Sequence, residues 1–155
     1  MVHKYSEKKI RKSLSIALEL LLKNDFFLLK EAVHERSIAH KLAEYLQIQF
    51  PKWNVDCEYN RKGIEPKRLE GIKDCEEDRK TNRIFPDIII HKRNSDENLF
   101  VIEMKKDNPD PKCDIMKLKL LTNLAGDYHY SFGLFINFEN LKPKLRWFKD
   151  GKESQ

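Results

Sequence analysis

Two apolar runs rich in β-branched residues, separated by a short polar stretch, constrain the fold more than any other feature of this sequence. Residues 84–91 and 99–104 carry the side chains that strands favour, whereas residues 93–98 are dense in Asn, Asp and Ser, which form turns. The pattern predicts a β-hairpin with its turn near Ser95. The second run is continuous enough to indicate burial on both of its faces.

Acidic residues stand where the two predicted strands meet. Antiparallel pairing about the turn places Asp87 opposite Glu103, where facing Cβ atoms lie about 4.5–5.5 Å apart. Side chains alternate faces along a strand, so Lys105 returns to the face of Glu103. A carboxylate near a core normally needs a partner or a metal ion. The hairpin therefore predicts a polar site containing Asp87, Glu103 and Lys105.

A structural explanation of these residues stays open at this point. Asp87 can be a solvated acid at a strand end, and Glu103 with Lys105 can form an exposed ion pair worth about 0.2–1 kcal/mol. The same short motifs occur elsewhere in the chain outside apolar strand-like runs, at residues 7–9, 65–67 and 109–110. Placement in the predicted hairpin is what favours a functional interpretation.

Two amphipathic helices are predicted before the hairpin. Apolar residues recur at intervals of three and four over residues 6–23, and Ser6 is a favourable N-cap. A second helix is expected over residues 30–49, ending before Pro51 because the residue preceding a proline is pushed out of helical geometry. Glu35 falls on the apolar face of this helix. It either joins a buried polar site or lies at the edge of the stripe and pairs with a basic residue one turn away.

Alternation, charge and prolines predict the remaining elements. Residues 53–59 alternate apolar and polar side chains, as a strand does, and residues 60–83 carry eight Lys or Arg and six Asp or Glu, which predicts a long charged loop. The later elements are a loop at 107–114, a helix at 112–124, a strand at 130–138 and an edge strand at 145–148. The predicted order is thus α-α-β-β-β-α-β, with the edge strand last.

Length, charge and cysteine usage limit the class of protein. The 155 residues, 40% of them hydrophobic, suit a single domain over 1–155 with a helical N-terminal extension at 1–29. The net charge of +5 is compatible with a polyanionic partner without requiring one. Three cysteines without Cys-x-x-Cys spacing argue against disulfides or structural zinc and favour the reducing cytoplasm. No run approaches the roughly 20 apolar residues that cross a bilayer, so no membrane attachment is expected.

The arrangement resembles the PD-(D/E)XK, or restriction-endonuclease-like, nuclease superfamily. The resemblance is carried by a helix with Glu35, a strand, a hairpin with Pro86-Asp87 and Glu103-Met104-Lys105, and a following helix and strand. The resemblance covers roughly residues 30–138. The members that this chain resembles are small stand-alone bacterial and phage-type proteins. It implies an α/β fold with a central mixed sheet flanked by helices. Asp87 and Glu103 then correspond to the acids of the superfamily motif, Lys105 to its lysine, and Glu35 to the helical acid of many members.

The same resemblance implies a catalytic chemistry, the hydrolysis of phosphodiester bonds with Mg²⁺ or Mn²⁺. Asp87, Glu103 and the backbone carbonyl of Met104 would supply oxygen ligands, and Glu35 would complete the coordination shell or hold a second ion. Lys105 would orient the attacking water, offset negative charge and, if its pKa is lowered, help to deprotonate that water. Asp87, Glu103, Lys105 and Glu35 are therefore the candidate catalytic residues.

Four further residues are candidates for contact with nucleic acid. Lys117 and Lys119, on the helix after the hairpin, could reach the scissile or a neighbouring phosphate, although exposed helix lysines are ordinary. Arg146 and Trp147 combine positive charge with an aromatic surface, a mixture that holds phosphates and stacks on bases. An edge strand guarded by basic residues explains the last two equally well.

Three hypotheses of function follow. The first is a Mg²⁺- or Mn²⁺-dependent endo- or exodeoxyribonuclease, with DNA favoured over RNA as the substrate. The second is a catalytically inactive nuclease-fold protein that binds nucleic acid or another protein, and the third is a nuclease directed at RNA. The lack of a separate recognition domain in the resemblance is compatible with a homodimer or a partner protein.

Overall fold

The structure, a computed structural model, describes residues 5–31, 34–59 and 84–155, and the predicted charged loop at 60–83 lies outside them. Over these ranges the chain forms four helices and a six-stranded sheet, which confirms the predicted mixed α/β class. The helices are α1 (Glu7–Asn24), α2 (Phe26–Lys30), α3 (Glu35–Gln49) and α4 (Lys112–Thr122). The strands are β1 (Asn54–Cys57), β2 (Ile88–His91), β3 (Asn98–Lys106), β4 (Phe132–Glu139), β5 (Lys142–Lys149) and β6 (Lys152–Ser154).

The strands of the described chain lie in the sheet in their sequence order, from β1 to β6. β3 and β4 are parallel, and each other neighbouring pair is antiparallel, so the sheet is mixed. A parallel pair needs a crossover instead of a tight turn. α4 is part of that crossover, and this brings it against the strand that carries Glu103.

The two faces of the sheet bury separate sets of apolar side chains. α1 and α3 cover one face, where Leu14 and Leu42 belong to the same cluster as Met104. α4 covers the other face, where Leu118 packs in a cluster with Val101. β3 is buried throughout Leu99–Met104, as the continuous apolar run predicts for a strand covered on both faces.

The hairpin between β2 and β3 has the register that the turn predicts. Ile88 pairs with Ile102, so the next step of the ladder places Asp87 beside Glu103. Ser95 lies at the centre of the turn, and its hydroxyl donates a hydrogen bond of 2.8 Å to the Lys92 carbonyl. Asp87 and Glu103 therefore point to the face of the sheet that α4 covers, since they share that face with Ile89 and Val101.

α1 begins where the sequence predicts. The Ser6 hydroxyl accepts a hydrogen bond from the backbone N–H of Lys9 at 3.2 Å, which satisfies one of the free donors of the first turn. Ile10, Leu14 and Leu21 of this helix are almost completely buried. The helix within the predicted N-terminal extension is thus part of the core.

The second predicted helix, 30–49, was wrong at its start. The short helix α2 ends at Lys30, and α3 begins at Glu35 because His34 takes the N-cap position. The Nδ1 atom of His34 accepts a hydrogen bond from the Arg36 N–H at 3.2 Å, a cap that the sequence pattern did not reveal. The end of the helix at Gln49 is as predicted.

The remaining bounds differ from the predictions by a few residues, and one strand was missed. The expected helix at 112–124 ends at Thr122, the expected strand at 130–138 begins at Phe132, and the expected edge strand at 145–148 belongs to the longer β5. β6 pairs with β5, so β6 is the edge strand on that side. Three polar residues carry no apolar alternation, which is why the sequence did not predict β6.

None of the helices in the described part of the chain is both long and apolar enough to cross a bilayer. Cys57 is a free thiol, whereas Cys113 is disulfide-bonded. The sequence argued against a disulfide framework and did not reveal the bond at Cys113, because sequence spacing does not report which cysteines meet in space.

Candidate functional site

Asp87 and Glu103 lie side by side beneath α4, as the hairpin predicts. The Asp87 carboxylate accepts a hydrogen bond of 2.8 Å from the backbone N–H of Met104, which fixes it against β3. The carboxyl groups of Asp87 and Glu103 are close enough to share a hydrogen bond. Glu103 is 2% exposed, so this contact takes place away from bulk water.

The surroundings of Asp87 favour its protonated form. Burial raises the pKa of Asp87 to about 6, and the nearby charge of Asp114 acts in the same direction. The hydrogen bond from Met104, the contact with Glu103 and the positive charge of Lys117 oppose the rise. A cation that binds next to Asp87 would lower this raised pKa, because a nearby positive charge favours the ionised form of a carboxyl group.

Lys117 brings a buried ammonium group to the acids. Its side chain is 5% exposed, and its Nζ lies 3.2 Å from Glu103 Oε1 and 3.3 Å from Asp114 Oδ1. The sequence predicted Lys117 either as a contact for phosphate or as an ordinary exposed lysine, and its burial beneath α4 corrects the exposure that both interpretations assume. α4 presents Lys117 to the sheet because residues three and four apart share one helix face, and Asp114 and Leu121 lie on that face too.

The ion pairs continue through Lys105 to α3. Lys105 Nζ lies 3.7 Å from Asp114 Oδ2 and 3.8 Å from Glu35 Oε2. Negative and positive groups therefore alternate in a series that we call the charge chain. It runs from Glu103 on β3 to Lys117 and Asp114 on α4, then to Lys105 on β3 and Glu35 on α3.

Glu35 reaches the site from the first turn of α3. Its second carboxylate oxygen accepts a hydrogen bond from the backbone N–H of Lys106 at 3.3 Å, which ties the helix to the end of β3. The side chain is 41% exposed, so it lies at the rim of the site. Glu35 thus lies at the edge of the apolar stripe, as one of the two interpretations predicts, but its lysine partner is Lys105 of β3 and not a basic residue one helical turn away.

Comparison of the chain with models of protein families, with curated proteins and with solved structures found no match. The site is characterised by the chemistry of its own residues. Asp87 and Glu103 form an acid pair, and two lysines and two further acids surround it, Lys105 and Lys117 with Asp114 and Glu35.

Lys105 stays positively charged in this arrangement. Burial lowers its pKa, but the nearby acids, Asp114 and Glu35 foremost, outweigh burial and raise the pKa above its ordinary value. Without a bound cation Lys105 is therefore a poor proton acceptor, contrary to the role of base that a lowered pKa would allow. Its ammonium can still orient a water molecule and offset negative charge.

The donor set of the site suits a hard divalent cation in chemistry and charge. Asp87, Glu103, Asp114 and Glu35 supply oxygen atoms alone, the donors that Mg²⁺ and Mn²⁺ prefer. Among the described residues, however, no group of three or more His, Cys, Asp or Glu side chains is arranged to hold a metal ion. Asp114, Glu35 and Glu103 each contact a lysine, so a cation bound between Asp87 and Glu103 would share Glu103 with Lys117.

The expected nucleic-acid contacts lie in different places. Lys119 is exposed on α4 and lies near Glu153 of β6, away from the acid pair. Arg146 is already bound to two acids, since its guanidinium lies 2.8 Å from Glu153 and 3.3 Å from Asp110. These two residues remain candidates for contact with phosphate.

Trp147 does not lie where a base could stack on it. The indole is 7% exposed and stacks on Phe100, with ring centroids 5.6 Å apart and planes inclined by 7°. The guanidinium of Arg11 lies 4.4 Å from the centre of the same indole. The aromatic residue interleaved with the basic residues of β5 points into the core, so its expected stacking role has no support in this geometry.

Asp114 was missed in the sequence. A polar pair at positions 114 and 117 falls on the same helical stripe as Ile115, Leu118 and Leu121, and an acid on a buried stripe normally needs a partner. The spacing was a usable signal, because an acid and a lysine three residues apart on an apolar face rarely both reach solvent.

A cavity of about 410 Å³ lies elsewhere, between α3 and β1. Gln47, Asp56 and Cys57 line it, and none of the residues of the acid pair or the charge chain does. Burial raises the pKa of Asp56, but the hydrogen bonds from Arg93 and from His91, the latter at 2.7 Å, outweigh burial and lower the pKa. The cavity and the candidate site are separate features.

Proposed function

We propose that this chain is a metal-dependent phosphodiesterase that acts on nucleic acid, on DNA more readily than on RNA, with a restriction-endonuclease-like core. One observation carries the proposal: the carboxyl groups of Asp87 and Glu103 meet at the end of a hairpin, with Lys105 and Lys117 close by. The match between this arrangement and the Pro-Asp and Glu-x-Lys motifs supports assignment to the PD-(D/E)XK superfamily.

The charges of the site support a divalent cation as cofactor. Four acids, Asp87, Glu103, Asp114 and Glu35, meet only two lysines, Lys105 and Lys117, so acids outnumber bases in the site. A bound Mg²⁺ or Mn²⁺ supplies Lewis-acid polarisation of a phosphate and lowers the pKa of water. Asp87 and Glu103 would bind the ion, and the Met104 carbonyl and Glu35 are the further ligands that we propose.

The lysines have separate tasks in this proposal. Lys105 is 37% exposed, so its ammonium can meet a substrate, orient the attacking water and offset the charge that develops on the phosphate. Lys117 is buried, and its ammonium group offsets the charges of Glu103 and Asp114. Each residue of the site then either binds the ion, positions a water molecule or balances charge.

The alternative function, a nuclease-fold protein that binds nucleic acid or another protein without turnover, has its own support. Lys117 already forms an ion pair with Glu103. In the described ranges no third acid is arranged with Asp87 and Glu103 to hold a metal ion. The lysines that contact Glu103, Asp114 and Glu35 offset the charges of these acids without a metal ion. A protein that only binds nucleic acid or another protein would not need a metal ion in this site.

Cleavage assays separate the two functions. Labelled single- and double-stranded DNA and RNA are incubated with the protein in Mg²⁺, Mn²⁺ or a chelator. We expect metal-dependent cleavage that is lost in Asp87→Asn, Glu103→Gln and Lys105→Ala, because each variant removes a ligand or the charged group that faces the substrate.

Asp96→Asn and Glu97→Gln are the matched controls. They make the same chemical changes at exposed positions of the turn in the same hairpin, and we expect them to cleave as the wild type does. Undiminished cleavage by all three site variants would overturn the assignment. Tight binding of nucleic acid without cleavage, together with no binding of Mg²⁺ or Mn²⁺, would favour the alternative.

A further inference from the structure

Lys117 places an ammonium group inside the candidate metal site. Its ammonium contacts Glu103 and Asp114, and all three side chains are nearly completely buried. Burying an ammonium group is costly unless acids offset the loss of its hydration, and two acids do so here. Glu103 is also the neighbour of Asp87. The Lys117 ammonium and a divalent ion would therefore compete for one carboxylate.

We infer that Lys117 is a displaceable internal counter-ion: a divalent cation binds by taking Glu103 from the Lys117 ammonium, which then remains paired with Asp114. The inference rests on the proposed function, because it assumes that Asp87 and Glu103 bind the cation. Asp114 lies three residues before Lys117 on the same helix, so it stays within reach when the contact with Glu103 is broken.

The position of Lys105 shows that charge alone does not define this role. Lys105 pairs with Asp114 at 3.7 Å and with Glu35 at 3.8 Å, which places it further along the charge chain from the acid pair. Replacing either lysine removes one positive charge from the site. Replacing Lys117 also releases Glu103, so the two substitutions should differ in their effect on cation binding.

The test measures cation binding by calorimetry in Lys117→Met, which keeps an unbranched side chain without the charge. We expect the affinity for Mn²⁺ and Mg²⁺ to rise by at least about tenfold, since a unit charge a few ångströms away at a partly buried site opposes the cation strongly. We also expect the metal-free variant to melt at a lower temperature than the metal-free wild type. Added metal should raise the melting temperature of the variant by more than it raises that of the wild type.

Two variants serve as matched controls. Lys105→Met removes the same charge from the other end of the charge chain, and we expect a smaller rise in affinity. Lys112→Met removes the charge of an exposed lysine in the first turn of α4, and we expect no change. Equal rises in Lys117→Met and Lys105→Met would overturn the inference in favour of a general charge effect.

A second measurement on the wild type keeps the inference testable if Lys117→Met does not fold. The NMR signal of the Lys117 ε-methylene group, assigned by its absence in Lys117→Arg, is followed while Mg²⁺ is added. We expect it to shift in step with saturation of the site. A signal that stays fixed while Mg²⁺ binds would overturn the inference and leave the proposed function intact, whereas no binding of metal by any variant would overturn both.

Discussion

At the scale of single residues, Asp87 shows how the site is coupled to folding. Burial raises its pKa from the ordinary 3.8 to about 6. A group with a raised pKa in the folded protein contributes its full stabilisation below its unfolded pKa, and this contribution is lost as the pH rises through the folded value. For Asp87 the loss falls between about pH 4 and about pH 6. The metal-free protein therefore becomes less stable across this range because Asp87 ionises in the unfolded chain, while the folded protein keeps it protonated up to about pH 6.

Replacing Asp87 with Asn should remove this loss. An amide oxygen can still accept the hydrogen bond of the Met104 N–H, but an amide does not ionise. We expect Asp87→Asn to match the wild type near pH 4 and to exceed it above about pH 6, by at most about 3 kcal/mol, since one pKa unit corresponds to about 1.4 kcal/mol. Urea unfolding of the metal-free proteins across this pH range measures the difference.

Asp127→Asn is the control for that experiment, because Asp127 is an exposed acid in the loop before β4. Its stability should differ from that of the wild type by an amount that does not change between about pH 4 and about pH 6. If Asp87→Asn is instead much less stable than the wild type at neutral pH, the Asp87 carboxylate is a structural group and not a strained member of a cation site.

The residues of the hairpin could be predicted because their relation is local. The positions of Asp87, Glu103 and Lys105 depend on one register and on the two-residue period of a strand. The positions of Asp114 and Lys117 depend on how α4 is rotated over the sheet, which is a property of tertiary packing. The sequence therefore indicated the acid pair but not the buried lysine that neutralises it.

At the scale of elements, the distance between α4 and the sheet is set by Gly133 of β4. A Cβ atom on Gly133 would lie 2.9 Å from Cγ2 of Thr122 and 3.3 Å from Cβ of Phe148. Both distances are shorter than ordinary contacts, so the helix could not keep its position over a larger residue. Since α4 carries Asp114 and Lys117, this contact also positions one side of the candidate site.

We expect Gly133→Ala to destabilise the protein by about 1–3 kcal/mol through overpacking. Thr122→Ser removes the methyl group that would clash and keeps the hydroxyl, which donates to the Leu118 carbonyl at 2.8 Å. The double variant Gly133→Ala/Thr122→Ser should therefore be more stable than the sum of the single effects, by about 1 kcal/mol. Chemical unfolding of the four proteins completes the cycle, and simply additive effects would contradict this account of α4.

The elements whose bounds were predicted well have a strong local signal. Ser6 caps α1, and the apolar runs of β3 and β4 are unmistakable. The start of α3 depends on His34, a residue that is rarely an N-cap, and β6 exists because β5 offers it an edge to pair with. Such features arise from context, so composition and periodicity could not reveal them.

At the scale of the whole molecule, one sheet joins two apolar layers. Both tryptophans of the chain, Trp53 and Trp147, lie in the layer of α1 and α3. Tryptophan fluorescence therefore reports on that layer, whereas circular dichroism reports on all elements. This placement allows the predicted single domain to be tested.

We expect Leu118→Ala, a change in the layer of α4, to destabilise the protein by about 2–5 kcal/mol, since Leu118 is completely buried. If the chain is one cooperative domain, fluorescence should detect the full loss although Leu118 lies in the layer opposite to both tryptophans. Leu42→Ala in α3 is the matched substitution in the other layer. Fluorescence and dichroism midpoints that separate in Leu118→Ala would show that the two layers unfold independently.

The order of the strands has a consequence for how the chain folds. In the described residues each strand lies beside the strands that precede and follow it in the sequence, and the β2–β3, β4–β5 and β5–β6 connections are short, so these three pairings cost comparatively little chain entropy. The β2–β3 hairpin can form without any residue of α4, and it brings together the carboxyl groups of Asp87 and Glu103. The acid pair thus depends on contacts that are local in the sequence, whereas the lysine that contacts Glu103 arrives only when α4 packs on the sheet.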